Sequence, residues 1–138
     1  MRVVYLESSA LLQWILRQSG AAEVRRTVDR AEVVLTSMLT LTETERVLVR
    51  AENQGALKGG DAQRLRGMLN RSQASWTRMS VSDDVLSRAA RPFPIEPVRT
   101  LDAIHLATAL EFATAFPDLR VLSFDCRVSD NAEALGIA

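Results

Sequence analysis

The amino-acid sequence predicts an α/β domain whose mostly parallel central sheet of four to five strands is covered by helices on both faces. Three observations lead there. Short β-branched or apolar runs recur along the 138 residues, each is followed by a stretch of helical periodicity, and the connections are short. Strands that run parallel need helical crossovers, and those crossovers bury both faces of the sheet.

The first run, residues 2–6, predicts a strand, and Leu11, Leu12 and Ile15 at helical spacing predict a helix over 9–18. A second helix is predicted over 21–30, a second strand over 32–36, and two long helices over 39–53 and 61–75. Weaker alternation at 77–81 suggests a third strand, and Asp83 and Asp84 open a helix over 83–90, where negative charge suits the positive end of the helix dipole. Pro92, Pro94 and Pro97 forbid a helix through 91–97, which reads as an ordered connection. A helix over 101–115, a strand over 120–124 and a helix over 127–135 complete the chain. No repeat or long linker divides it, so residues 1–138 are expected to form one domain.

Composition narrows the function classes. A chain of this size buries about 68% of the surface it exposes unfolded, enough for a core without disulfides. The single cysteine, Cys126, excludes an intramolecular disulfide and a cysteine-based zinc site. Glu7, Ser8 and Ser9 interrupt the N-terminal apolar run, which argues against a secretory signal, and no window approaches the ~20 apolar residues of a membrane span. The expectation is a soluble cytoplasmic protein with no membrane partner. Charges balance, 17 basic against 17 acidic, yet all the basic residues except Lys58 are arginine, which suits bidentate contacts to phosphate or carboxylate. Neither a glycine-rich dinucleotide or P-loop motif nor a G-x-S-x-G elbow occurs. A phospho-accepting receiver would want a lysine near its aspartate, and Lys58 falls in a predicted loop.

In open α/β sheets ligands sit beyond the carboxyl ends of the strands. Four acids are predicted there: Glu7 after the first strand, Asp125 after the last, Glu43 early in the helix after the second strand, and Asp102 at the start of the 101–115 helix. Like charges crowded together repel and raise one another's pKa, and a divalent cation relieves that conflict. Mg²⁺ and Mn²⁺ take oxygen ligands, and a metal-bound water can attack a phosphodiester. Each acid also has a local explanation. Thr40-x-x-Glu43 fits a capping box, Asp102 follows Thr100 as an N-cap, Asp125 can cap the last helix, and Glu7 can be a solvated residue.

Four segments decide between these readings. Val3-Val4-Tyr5-Leu6-Glu7-Ser8-Ser9-Ala10-Leu11, Thr36-Ser37 through Glu43-Thr44-Glu45-Arg46, Leu101-Asp102-Ala103-Ile104-His105-Leu106-Ala107-Thr108-Ala109, and Leu122-Ser123-Phe124-Asp125 running on to Ala134-Leu135-Gly136-Ile137 together resemble the PIN-domain family. Within it they resemble the VapC-like ribonuclease toxins of bacterial type II toxin-antitoxin pairs. The resemblance implies an α/β/α sandwich and an Mg²⁺- or Mn²⁺-dependent endoribonuclease cleaving single-stranded or loop RNA. It further implies a cognate antitoxin and a homodimer. Glu43, Asp102 and Asp125 fall on family acids and Ser123 on a hydroxyl position that organises the site, whereas Glu7 stands where the family ordinarily has Asp.

Glutamate carries its oxygens one methylene further out, so three outcomes are open: the backbone retreats, Mn²⁺ or a water bridge replaces direct ligation, or activity is attenuated. An inactivating change is a fourth. Attenuation leaves a second function, a PIN-like protein that acts by binding an antitoxin or RNA. Ser8 and Ser9 read as N-caps of the first helix and secondarily as donors orienting Glu7. Arg46 and Arg50 follow Glu43 at helical intervals, either as helix salt bridges or, for Arg46, as a phosphate contact bordering the acids. His105 shares a helix face with Asp102, and a satisfied, partly buried role is favoured over a general base. Trp14 and Trp76 read as core or subunit interface rather than a stacking platform.

Overall fold

The computed structural model describes residues 1–138. Four parallel strands, β1 (Val3–Leu6), β2 (Val33–Ser37), β3 (Thr77–Met79) and β4 (Leu119–Leu122), form one sheet in the order β3-β2-β1-β4. Seven helices accompany them, the last following β4: α1 (Ser8–Ile15), α2 (Ala21–Arg30), α3 (Met38–Asn53), α4 (Asp61–Gln73), α5 (Asp83–Ala89), α6 (Thr100–Ala113) and α7 (Cys126–Ala134). The predicted elements are all present, with bounds that differ by at most three residues, most at the end of the first helix. The last strand ends at Leu122, not at 124. The first helix runs only to Ile15, and Arg17 turns the chain with a positive φ of 52°.

Strand alternation explains the two layers. Val3, Tyr5 and Leu35 face one side and pack with α6 and α7 through Ala103, Leu106, Phe112, Val128 and Ala132. Leu6 and Val34 face the other and pack with α1 to α4 through Leu11, Ile15, Val24, Leu48 and Leu69. Trp14 and Trp76 belong to this second layer, their rings 6.3 Å apart. Because β1 is buried on both faces, all four of its residues are apolar or aromatic. The 90–99 connection is irregular but tied down: Asn131 exchanges two hydrogen bonds with the Ile95 backbone, and the Glu96 carboxylate accepts from the Phe93 and Val98 amides. No helix is long and apolar enough to cross a membrane.

Helix α6 is wrapped by protein. Nine of its 14 residues are buried, so even its polar positions Asp102 and His105 sit inside. The chain leaves β1 toward β2 on one side and reaches β4 on the other, which makes the gap between β1 and β4 the point where strand order reverses. Ser123 and Glu7 flank that gap.

The fold predicts its own weak points. Leu106 is fully buried in the layer around Tyr5, whereas Leu101 on the same helix is 47% exposed. Leu106→Ala is expected to cost about 2–5 kcal/mol of unfolding free energy, and Leu101→Ala about 0.5 or less. Urea denaturation of the two variants beside the parent checks this; equal losses would contradict the packing.

Candidate active site

Each acid reaches the site by a different local device. Glu7 directly follows β1 and is the N-cap of α1, its carboxylate accepting from the Ser9 amide at 3.0 Å. This corrects the expectation that Ser8 and Ser9 cap the helix: both lie inside it and bond to Glu7 instead. Glu43 lies in the second turn of α3, which is capped by Ser37 through the Leu39 amide, so the Thr40–Glu43 capping box does not form. Asp102 occupies the first turn of α6, whose N-cap is Arg99 rather than Thr100. Asp125 does cap α7, accepting from the Arg127 amide at 2.9 Å.

All four carboxylates line one cavity of about 400 Å³, together with Ser8, Ser9, Leu12, Arg99, Thr100 and Leu101. Two larger hollows, about 540 Å³ each, lie away from this cluster, one by Arg2, Arg30 and Arg120 and one by Trp14 and Trp76. Neither gathers converging carboxylates from separate segments, so neither offers comparable chemistry.

Hydroxyls organise the deep end. Glu7 is nearly buried, with one oxygen accepting from Ser8 at 2.9 Å. The other accepts from Ser123 at 2.8 Å and from the Ser9 hydroxyl. Ser9 also receives the Phe124 amide at 2.8 Å, and Ser123 the Asp125 amide at 3.0 Å, so the ends of β1 and β4 are laced together around one carboxylate. Ser8 reaches Glu43 as well, at 2.8 Å. Its single proton serves one of the two acids at a time.

The shallow end is held by charge. Arg99 lies 3.5 Å from Asp102 and 3.8 Å from Asp125, with its side chain 69% exposed. Burial raises the Asp102 pKa, and the nearby Asp125 and Glu7 charges push in the same direction, while Arg99 opposes them. Negative charge in this cleft is thus incompletely neutralised. As oriented, no three His, Cys, Asp or Glu side chains form a metal-holding group. Several of their oxygens are taken by serine, histidine and arginine, yet four carboxylates on one cavity suit a hard divalent cation in donor type.

Comparison with known proteins identifies the architecture. The PIN-domain family model matches residues 4–134. The chain belongs to the PIN-domain family. Among curated proteins it is 34% identical to ribonuclease VapC46 of Mycobacterium tuberculosis, covering 100% of this chain and 96% of that protein. It is 33% identical to ribonuclease VapC35 of the same species, covering 99% and 94%. Among solved structures, VapC20 of M. tuberculosis, described as a sarcin-ricin loop cleaving toxin, superposes with a TM-score of 0.67 at 17% identity, covering 98% and 96% of the two chains. A toxin-antitoxin complex from Klebsiella pneumoniae gives 0.57 at 20% identity, covering 90% and 88%.

In this PIN domain, Glu7, Glu43, Asp102, Asp125 and Ser8 all line the cavity, and Ser123 touches it through Glu7. Arg46 is exposed and does not line it; the arginine beside the acids is Arg99. Sequence reasoning passed over Arg99, although its spacing three residues before Asp102 is that of a helical ion pair. It also passed over Tyr5, whose hydroxyl lies 2.9 Å from His105 Nδ1. Strand alternation places Tyr5 on the α6 side but does not say which residue it meets.

A raised folded-state pKa makes Asp102 a pH-dependent cost. Its protonated form contributes stability that is present below the ordinary aspartate range and lost as pH rises through the raised value. Asp102→Asn is therefore expected to raise the melting temperature by a few degrees at pH 7, with the gain closing as pH falls toward about 4. Calorimetry across that range checks it, and a gain independent of pH would refute it.

Proposed function

We propose that this PIN domain is a divalent-metal-dependent endoribonuclease, hydrolysing RNA phosphodiester bonds as the toxin of a toxin-antitoxin pair. The observation that carries the reading is the convergence of four carboxylates, from four separate segments, on one cavity beyond the carboxyl ends of the strands. The ribonuclease names of two full-length relatives support it.

Glu7, Glu43, Asp102 and Asp125 are the residues that would hold the ion, Mg²⁺ or Mn²⁺. When bound, such an ion supplies charge neutralisation and a coordinated water of lowered pKa. The protein contributes orientation. Ser8, Ser9 and Ser123 fix the Glu7 carboxylate, and the α1 N-terminus faces it with a backbone amide. Arg99, exposed and anchored only by long ion pairs, is placed to take a phosphate oxygen in exchange for Asp102 and Asp125. Arg46, exposed on α3 and outside the cavity lining, would contact phosphate only from the periphery.

The reading includes an antitoxin partner, pairing of two copies and a cytoplasmic location. The structure from K. pneumoniae supports the first by its description as a toxin-antitoxin complex. Sedimentation of the purified chain, alone and with a candidate antitoxin from a neighbouring reading frame, measures both associations.

A second reading is favoured by Glu7 itself. Its carboxylate is bound by three serine hydroxyls and an amide, which is the environment of a structural cap as much as of a ligand. On this reading the protein binds antitoxin or RNA with little turnover.

One assay separates the two. A mixed RNA pool is incubated with Mg²⁺ or Mn²⁺, and fragment ends are mapped for the parent and for Asp125→Asn. Cleavage abolished by chelator and reduced about 100-fold or more by Asp125→Asn is expected. Binding without chelator-sensitive turnover would favour the second reading. Glu7→Asp keeps a good capping residue while shortening the arm. It is expected to raise the cleavage rate on the same RNA, and an unchanged or lower rate would count against the ligand role of position 7.

A further inference from the structure

We propose that His105 and Tyr5 are positioning residues, a buried relay in which the Tyr5 hydroxyl fixes the His105 ring and the ring aims the Glu43 carboxylate into the cleft. The inference deepens the ribonuclease reading and rests on Glu43 being one of its working acids.

The geometry is continuous from strand to cleft. Tyr5 is fully buried in β1, its ring 6.3 Å from Phe112 and edge-on to His105 at 6.2 Å. Its hydroxyl is 2.9 Å from His105 Nδ1, and His105 Nε2 is 2.6 Å from Glu43 Oε1. Ser8 Oγ closes the group, 2.8 Å from the same Glu43 oxygen. No backbone donor holds this acid, in contrast to Glu7 and Asp125. A glutamate on a helix otherwise samples several rotamers, and ordering its side chain is costly. Imidazole and serine supply the orientation that the helix does not.

Hydrogen-bond logic sets the proton positions. An ionised carboxylate only accepts, so Nε2 carries the proton that it shares with Glu43. With the Nε2 proton directed to Glu43, the unprotonated Nδ1 accepts the Tyr5 hydroxyl 2.9 Å away. Both ring nitrogens are thereby used, which a buried imidazole with only 1% exposure requires. Glu43 Oε2 has no protein donor and is not among the buried unpartnered atoms, so it is the oxygen presented to the cleft.

This chain has a single histidine, so its imidazole nitrogens give an unambiguous ¹⁵N spectrum. In protein without metal or RNA, a protonated Nε2 and a bare Nδ1 are expected. Glu43→Gln should move the Nε2 signal, and Tyr5→Phe the Nδ1 signal. In the cleavage assay Tyr5→Phe is expected to lower kcat about tenfold with KM for RNA unchanged, while the circular dichroism spectrum stays that of the parent. His105→Gln, whose amide can donate near the Nε2 position, should recover much of the rate that His105→Leu loses.

A proton on Nδ1, an Nε2 signal indifferent to Glu43→Gln, a Tyr5→Phe kcat equal to the parent's, or equal losses in His105→Gln and His105→Leu would each overturn the relay. A parent protein that neither cuts RNA nor binds Mn²⁺ by titration overturns the ribonuclease reading alone. The nitrogen spectra then still decide whether the relay orients Glu43.

Discussion

Repulsion among four carboxylates held at one end of a parallel sheet is the constraint to which the rest of this PIN domain answers. Four negative groups on a cavity of about 400 Å³ are costly without compensation. The protein compensates them differently by depth. At the floor, where Glu7 and His105 are almost inaccessible, fixed hydroxyls and an imidazole carry the load. At the mouth, one exposed guanidinium spans Asp102 and Asp125. Fixed dipoles lose nothing to reorganisation, and an exposed arginine is readily exchanged for another cation or drawn to a phosphate.

The fold makes this arrangement affordable because the site is assembled from element ends rather than interiors. Glu7 and Asp125 are helix N-caps, and Asp102 lies in a first helical turn, positions where the helix dipole favours negative charge. Local capping and site chemistry are therefore not competing explanations for these acids. Glu7 caps α1 and faces the cleft with the same carboxylate. The serines that bind it also tie β1 to β4, so site order and sheet closure are the same set of bonds.

His105 shows how a buried polar group links the core to the site. Its ring stands between the Tyr5 layer and Glu43, with Tyr5 on the strand and the acid on α3. An apolar side chain could fill that volume, but it could not transmit the position of β1 to a carboxylate on another helix. The single buried side-chain polar atom without a hydrogen-bond partner, Thr40 Oγ1, belongs to the same α3.

Much of this was legible in the residues alone. Alternating strand and helix patterns determine the α/β class because periodicity is a local property, and the four PIN-like segments single out the acids because those words recur as local sequence. Even Asp125 as a cap follows from its place before a helix. What the chain could not declare is who meets whom across layers. The fold-back of Glu7 onto Ser9, the failure of Thr40 to cap, the choice of Arg99 over Arg46, and the Tyr5–His105–Glu43 contact depend on sheet order and helix packing. Those distances join residues up to 100 positions apart. No local propensity encodes them; only the packing of α6 and α3 against β1 and β2 brings the groups within hydrogen-bonding reach.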